Sequence, residues 1–131
     1  MSKAVLHASA LLAYLLDEPG SDRVAEALSS GSFVCAVNLC EVLSKLEDRG
    51  LRVGEALEAL TSQGILDALE IVAFDAALAR ETASLRAATR GAGLSLGDRA
   101  CIALAKTLAV PALTADRTWP ALPGVEVRPI R

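Results

Sequence analysis

Short apolar runs alternate along this chain with longer segments in which apolar residues recur every three or four positions. The longer segments have the period of amphipathic helices, and the short runs are typical of buried strands. Because the runs are apolar on both faces and alternate with helices, the pattern indicates an α/β fold. It predicts a mainly parallel central sheet of about five strands with helices on both faces. The strands are predicted over residues 3–7, 32–36, 69–73, 111–115 and 125–128.

Polar residues at the starts of the periodic segments set the predicted helix boundaries. Ser9 is predicted to cap a first helix that ends before Pro19, and Ser95 to cap the last helix. Asp75 is predicted to open a long helix that ends at about Arg90, where a glycine-rich segment follows. The other helices are predicted to begin at Ser21 and to cover residues 38–49 and 53–63. No linker or repeat interrupts this pattern, so residues 1–131 are predicted to form one domain.

Composition narrows the class of protein only slightly. The chain is 53% hydrophobic and 3% aromatic. This composition suits helices that pack small aliphatic residues on a sheet better than it suits a β-sandwich. The net charge of −3 provides no general basic surface for nucleic acid. A metal-dependent nuclease stays possible, because bound cations neutralise its acidic centre.

The cysteines and the apolar segments indicate the cellular compartment. Cys35, Cys40 and Cys101 are odd in number and lie in apolar stretches, so we expect reduced, buried thiols. One histidine and no CxxC pair make a zinc site improbable on sequence grounds. Neither a signal-peptide pattern nor a membrane-length apolar run is visible, which predicts a soluble, cytoplasmic protein with no membrane partner.

Several polar residues follow the predicted strands. His7, Asn38 and Asp116 come at or just after strand ends, and Glu41 and Asp98 lie in the first turns of the helices that follow. Ligands of parallel sheets bind at the carboxyl ends of the strands, so we expect the acids to converge there with His7. Convergent carboxylates favour a hard divalent cation such as Mg²⁺ or Mn²⁺, which activates water and binds phosphodiester oxygens.

Each of these residues also has an ordinary structural interpretation. Glu41 has Lys45 four residues later, as in a surface ion pair. Asp98 lies three residues after Ser95, which is the spacing of a capping box. Asp116 is typical of a residue that begins a turn. A histidine at a strand end is most often a partly buried imidazole with satisfied hydrogen bonds.

Four segments of the chain carry a family resemblance. They are VLHASALLAYLLDEPG, AVNLCEVLSKL, GLSLGDRACIALA and LTADRTW, and they resemble in order the four blocks of the PIN-domain ribonuclease toxins, the VapC family of bacterial VapBC toxin–antitoxin systems. The resemblance extends over residues 3–119. The last two blocks, at their observed separation, are its most specific part.

The resemblance implies a PIN-like fold and an Mg²⁺- or Mn²⁺-dependent endoribonuclease that cleaves RNA. It also implies a homodimer that is inhibited by a VapB-like antitoxin and contacts DNA only through that antitoxin. The site residues that it implies fall into three groups: the metal-binding acids Glu41, Asp98 and Asp116, the supporting residues Ser9, Asn38 and Thr114, and the phosphate-positioning residues Arg99 and Arg117.

Residue 7 departs from the family pattern, which has an aspartate where this chain has His7. One imidazole nitrogen is a poorer ligand for Mg²⁺ than a carboxylate, so we expect weak or absent Mg²⁺ or Mn²⁺ binding. An imidazolium there would pair with Asp98 or Asp116 and repel the cation. The hypothesis is that His7, at the position of a catalytic aspartate, impairs the nuclease activity of this chain.

Two alternatives remain from the sequence. The chain is a non-catalytic PIN module that binds an antitoxin, or His7 together with Asp98 and Asp116 recruits a softer ion such as Zn²⁺ or Mn²⁺. A phosphoacceptor signalling domain is set aside, because the first strand is not followed by a pair of acids.

Overall fold

A computed structural model describes residues 3–131 and contains one five-stranded sheet at its centre. The strands are β1 Val5–Leu6, β2 Ser32–Cys35, β3 Leu69–Val72, β4 Ala112–Thr114 and β5 Val127–Pro129. Their order in the sheet is β3-β2-β1-β4-β5, and every pairing between neighbours is parallel, which confirms the predicted sheet. The strands are shorter than predicted, and β5 begins two residues later.

Helices connect the strands from β1 to β4 and cover both faces of the sheet, whereas a segment without a helix joins β4 to β5. Leu6 packs among residues of the helices on one face, such as Leu11 and Val42. Its neighbour Val5 points to the other face, among residues such as Leu78 and Ile102. The helices are α1 Ala8–Leu15, α2 Ser21–Ser29, α3 Ala36–Asp48, α4 Val53–Ser62, α5 Ile65–Ala68, α6 Ala76–Ser84, α7 Arg86–Thr89 and α8 Leu96–Leu108.

The long helix predicted from Asp75 to Arg90 is wrong in its length. It is interrupted at Leu85, and a 3₁₀ turn, Arg90–Ala92, ends the shorter α7. The hydroxyls of Thr82 and Thr89 donate to the carbonyls four residues before them, a bond that bends helices. The start was predicted correctly, because Asp75 accepts a hydrogen bond from the Leu78 amide.

Two other helix starts differ from the prediction. Helix α1 begins at Ala8, and its cap is His7 rather than Ser9. The Ser9 hydroxyl is occupied by partners at the end of β4, and the His7 ring accepts the amide hydrogen bond instead. Helix α3 begins at Ala36, directly from the last residue of β2, so Asn38 lies inside its first turn.

The three cysteines are free thiols. Cys35 and Cys101 are buried as predicted, whereas Cys40 is exposed on α3. Burial raises the pKa of the Cys101 thiol well above its ordinary value, so this side chain behaves as a small apolar group. Within residues 3–131, no helix combines the length and the apolar character that a membrane crossing requires.

Candidate active site

His7 lies at the carboxyl end of β1 and is only 8% exposed. Its Nδ1 accepts a hydrogen bond from the Ser9 amide at 3.2 Å and lies 2.9 Å from the Ser9 hydroxyl. The other ring nitrogen, Nε2, lies 2.9 Å from Oδ1 of Asp98. The imidazole and the Asp98 carboxylate are therefore in direct contact through these two atoms.

Trp119 closes the other side of His7. The two rings meet edge to face, with centroids 4.9 Å apart and planes at 82°. This geometry is favourable for aromatic pairs and fixes the imidazole in place. His7 is therefore held by the start of α1, by Asp98 and by Trp119 together.

Asp98 serves both interpretations of its position. It forms the predicted capping box of α8, because its Oδ2 accepts from the Ser95 amide at 3.0 Å and its own amide donates to the Ser95 hydroxyl at 3.1 Å. Its Oδ1 is the atom that faces His7. Partial burial alone would raise the pKa of Asp98, but the contacts with His7 and the Ser95 amide outweigh burial and hold that pKa below its ordinary value.

Glu41 reaches the first turn of α8 from the neighbouring helix α3. Its Oε1 accepts a hydrogen bond from Nδ2 of Asn38 at 2.8 Å. The same amide nitrogen donates to the carbonyl of Gly97 at 3.0 Å, and Asn38 is completely buried. The Glu41 carboxylate lies directly against Gly97, and it therefore lies beside the residue that precedes Asp98.

Ser9 and Thr114 link the start of α1 to the end of β4. The Ser9 hydroxyl accepts from the Ala115 amide at 2.9 Å and lies 3.3 Å from the Thr114 hydroxyl. The fully buried Thr114 accepts in turn from the Asp116 amide at 3.0 Å. These bonds hold the ends of two adjacent strands in register around His7.

Asp116 follows β4, but its carboxylate is engaged locally. Its Oδ1 accepts from the amide of Thr118 at 2.8 Å and from the Thr118 hydroxyl at 2.6 Å. This is the turn that its position suggested. The predicted convergence is therefore partial: His7 and Asp98 are in contact, Glu41 is next to them, and Asp116 faces its own turn.

The arrangement does not fit a resident Mg²⁺ or Mn²⁺ ion. Such ions require several oxygen ligands in near-octahedral geometry. Within residues 3–131, no group of three or more His, Cys, Asp and Glu side chains lies close enough to hold a metal ion. Both carboxylate oxygens of Asp98 already have partners, and one of these is the imidazole of His7.

The two arginines beside the acids differ in their freedom. Arg99 is half-buried and donates from Nη1 to the carbonyl of Thr82 at 3.3 Å, which ties it to α6. Arg117 is exposed in the turn after Asp116. Arg117 is the better placed of the two to meet a phosphate from solvent.

Sequence reasoning missed two residues of this site, Gly97 and Trp119. The glycine in LSLGDRA was a usable signal, since a glycine in the first turn of a helix is unfavourable unless another group needs the space. Trp119 is the single tryptophan of the chain, but no local pattern indicates that it packs on His7.

The fold and the sequence identify the family. The sequence profile of the PIN domain matches residues 4–125, so this chain belongs to the PIN-domain family. No functionally curated protein matches the chain in sequence.

Solved structures of low sequence identity share this fold. A chain of the DNA-bound VapBC complex from Salmonella typhimurium has a TM-score of 0.73 at 16% identity, with 100% of both chains covered. A chain of a toxin–antitoxin complex from Klebsiella pneumoniae has a TM-score of 0.72 at 17% identity, covering 94% of this chain and 95% of that one. FitAcB from Neisseria gonorrhoeae has a TM-score of 0.69 at 20% identity, with 97% of both chains covered.

Proposed function

We propose that this chain is the toxin of a bacterial type II toxin–antitoxin system, with the scaffold of a VapC endoribonuclease whose RNA cleavage is impaired by His7. Membership of the PIN family and the placement of the acids around the carboxyl ends of β1, β2 and β4 support the nuclease scaffold. The observation that carries the impairment is the 2.9 Å contact between His7 Nε2 and Asp98 Oδ1.

In an active relative of this kind, Mg²⁺ or Mn²⁺ would supply the nucleophilic water and offset charge on the phosphodiester. With an aspartate at position 7, the acids that would hold such an ion are Glu41, Asp98 and Asp116. Arg117, and with less freedom Arg99, would position the RNA phosphate. His7 occupies the position next to Asp98 Oδ1 without providing an oxygen ligand, which is why we expect no efficient hydrolysis by this chain.

A second candidate function is a non-catalytic PIN module that only binds an antitoxin. The closed contact between His7 and Asp98, supported by Trp119, favours it, because it gives the acidic edge a stable arrangement without a metal. The two candidates share their proposed partners: a VapB-like antitoxin, a second copy of this chain in a homodimer, and DNA only through the antitoxin. The structural similarity to chains of VapBC and FitAB complexes supports the antitoxin partner. We place this function in the cytoplasm.

RNA cleavage by two variants at position 7 tests the proposal. His7→Asp restores the oxygen ligand, and His7→Asn removes the imidazole without adding a charge. Each variant and the native chain are incubated with a mixed RNA pool in Mn²⁺, with EDTA as the blank. We expect cleavage by His7→Asp alone, and toxicity to the expression host from that variant alone.

The matched pair separates the candidates. Cleavage by His7→Asp but not by His7→Asn supports the disabled nuclease. Failure of both folded variants to cleave, with an antitoxin still bound, supports the non-catalytic module. Efficient Mn²⁺-dependent cleavage by the native chain contradicts the impairment.

A further inference from the structure

The first turn of α8 carries a glycine against which the carboxylate of Glu41 packs. Gly97 is buried at the second position of this helix. A Cβ built on Gly97 would lie 2.5 Å from Oε2 and 2.6 Å from Cδ of Glu41, and it would also strike Oε1. Real Cβ atoms essentially never approach other heavy atoms closer than 3.0 Å. Any side chain at position 97 must therefore displace Glu41.

The carboxylate of Glu41 is the far end of a flexible side chain, and its hydrogen bond to Asn38 is what opposes its displacement. Its Oε1 accepts the 2.8 Å hydrogen bond from Asn38, whose amide nitrogen is shared with the Gly97 carbonyl. Asn38 is fully buried, and its Oδ1 lies without a hydrogen-bond partner among the described residues. Moving Glu41 would weaken one of the few bonds that satisfy this buried amide, and unsatisfied buried polar groups are costly.

We propose that Gly97 and Asn38 are positioning residues for Glu41. Gly97 provides the space in which the carboxylate lies, and Asn38 fastens that carboxylate to the backbone of α8. Together they set the distance between Glu41 and the next residue of α8, Asp98. This positioning role rests on the proposed function, in which Glu41 and Asp98 are two of the metal-binding acids.

A double-mutant cycle tests the contact without any need for activity. Gly97→Ala is made in the native chain, in Glu41→Gln and in Glu41→Ala, and urea unfolding is measured for each. The matched control is Gly54→Ala, because Gly54 is also the second residue of a helix and its added Cβ would meet nothing within 4 Å.

The expected pattern depends on the size of residue 41. Gly97→Ala should raise the unfolding equilibrium constant by roughly 5- to 30-fold in the native chain and in Glu41→Gln, which keeps the shape of Glu41. In Glu41→Ala the three atoms nearest to the added methyl are absent, so the same change should lower that constant by about two- to fourfold, as we expect for Gly54→Ala in the native chain. An equal effect of Gly97→Ala in all three backgrounds, or a native-chain effect like that of Gly54→Ala, overturns the proposal.

The Mn²⁺ affinity tests the positioning role itself, because residues that only stabilise the fold would leave this affinity unchanged. In the His7→Asp background, Gly97→Ala and Asn38→Ala should each weaken Mn²⁺ binding by tenfold or more, while Gly54→Ala leaves the affinity unchanged. Unchanged affinity in Gly97→Ala and Asn38→Ala contradicts the positioning role. Absence of Mn²⁺ binding from His7→Asp itself contradicts the proposed function, whereas the stability cycle still decides the contact between Gly97 and Glu41.

Discussion

At the scale of single residues, His7 combines three structural tasks in one side chain. Its Nδ1 caps α1, its Nε2 faces Asp98, and its ring packs on Trp119. Aspartate is also a favoured N-cap residue, so the fold can accept either residue at this position. The exchange therefore changes the chemistry of the acidic edge much more than it changes the start of the helix.

The lowered pKa of Asp98 predicts a specific dependence of stability on pH. A carboxyl group whose folded pKa is depressed contributes stability that is present above its unfolded pKa, about 3.9, and is lost as the pH falls through the folded value. Asp98→Asn removes this titration, so its unfolding free energy should fall less steeply than that of the native chain below about pH 4. Urea unfolding from pH 7 to pH 2 measures the two curves.

Glu126 provides the control for this prediction. Its pKa is also lowered, by the bond from Arg128, but its side chain is exposed. Added salt should therefore suppress the contribution of Glu126 to the unfolding free energy, while the half-buried Asp98 retains most of its contribution. Parallel pH curves for the native chain and Asp98→Asn would show that His7 and Ser95 do not stabilise the Asp98 carboxylate.

The sequence predicted local contacts of single residues better than distant ones. The capping box of Ser95 with Asp98 and the turn at Asp116 follow from spacings of two or three residues, and both are present. The packing of Glu41 on Gly97 joins two helices that are distant in sequence. Such contacts depend on how the helices cross, which periodicity does not specify.

At the scale of elements, the start of α8 connects helix stability to the candidate site. The hydroxyl of Ser95 accepts the Asp98 amide, and the carboxylate of Asp98 accepts the Ser95 amide, so two amides that the helix leaves unpaired are satisfied. The same carboxylate is thereby oriented toward His7.

Ser95→Ala should destabilise the chain by about 1 kcal/mol, because it removes the hydroxyl that caps α8. Ser95→Thr keeps the acceptor and should remain close to the native stability. Urea unfolding at neutral pH measures both changes. Equal loss in the two variants would mean that packing at the helix start, rather than the cap, is responsible.

The periodicity of apolar residues predicted where helices occur, but it did not predict where a helix is interrupted. Asp75 and Ser95 marked two starts correctly, since each side chain bonds the first turn of its helix. The break at Leu85 has no proline or glycine to mark it. The hydroxyls of Thr82 and Thr89 bond to the preceding turn on either side of it, but Ser44 makes the same bond inside the continuous helix α3, so this bond does not mark a break in a sequence.

At the scale of the whole molecule, the strand order explains why the candidate site exists. Strands β2, β1 and β4 are neighbours in the sheet, so the segments that follow them meet at one edge. Those segments bring Asn38 and Glu41, His7, and Asp116 respectively. Apolar runs predicted the strands and their parallel arrangement, but the order of the strands depends on the crossover connections and became known only from the structure.

The proposed homodimer has a testable surface between α3 and α4. Val53 is 41% exposed there and borders an apolar groove lined by Leu39 and Leu43. We expect Val53→Lys to convert the dimer to a monomer, measured by light scattering after size exclusion. Ile71→Lys is the matched control, because Ile71 is 46% exposed on the edge strand β3. Loss of the dimer in Ile71→Lys alone would assign the interface to the sheet edge instead.

The central claim, that one residue disables the acidic site, is tested most directly by Mn²⁺ calorimetry on the native chain, His7→Asp and His7→Asn. The account predicts a saturable heat of Mn²⁺ binding for His7→Asp and none above the blank for the other two. Binding by the native chain with an affinity equal to that of His7→Asp would contradict it, because the contact of His7 with Asp98 would then not exclude the ion.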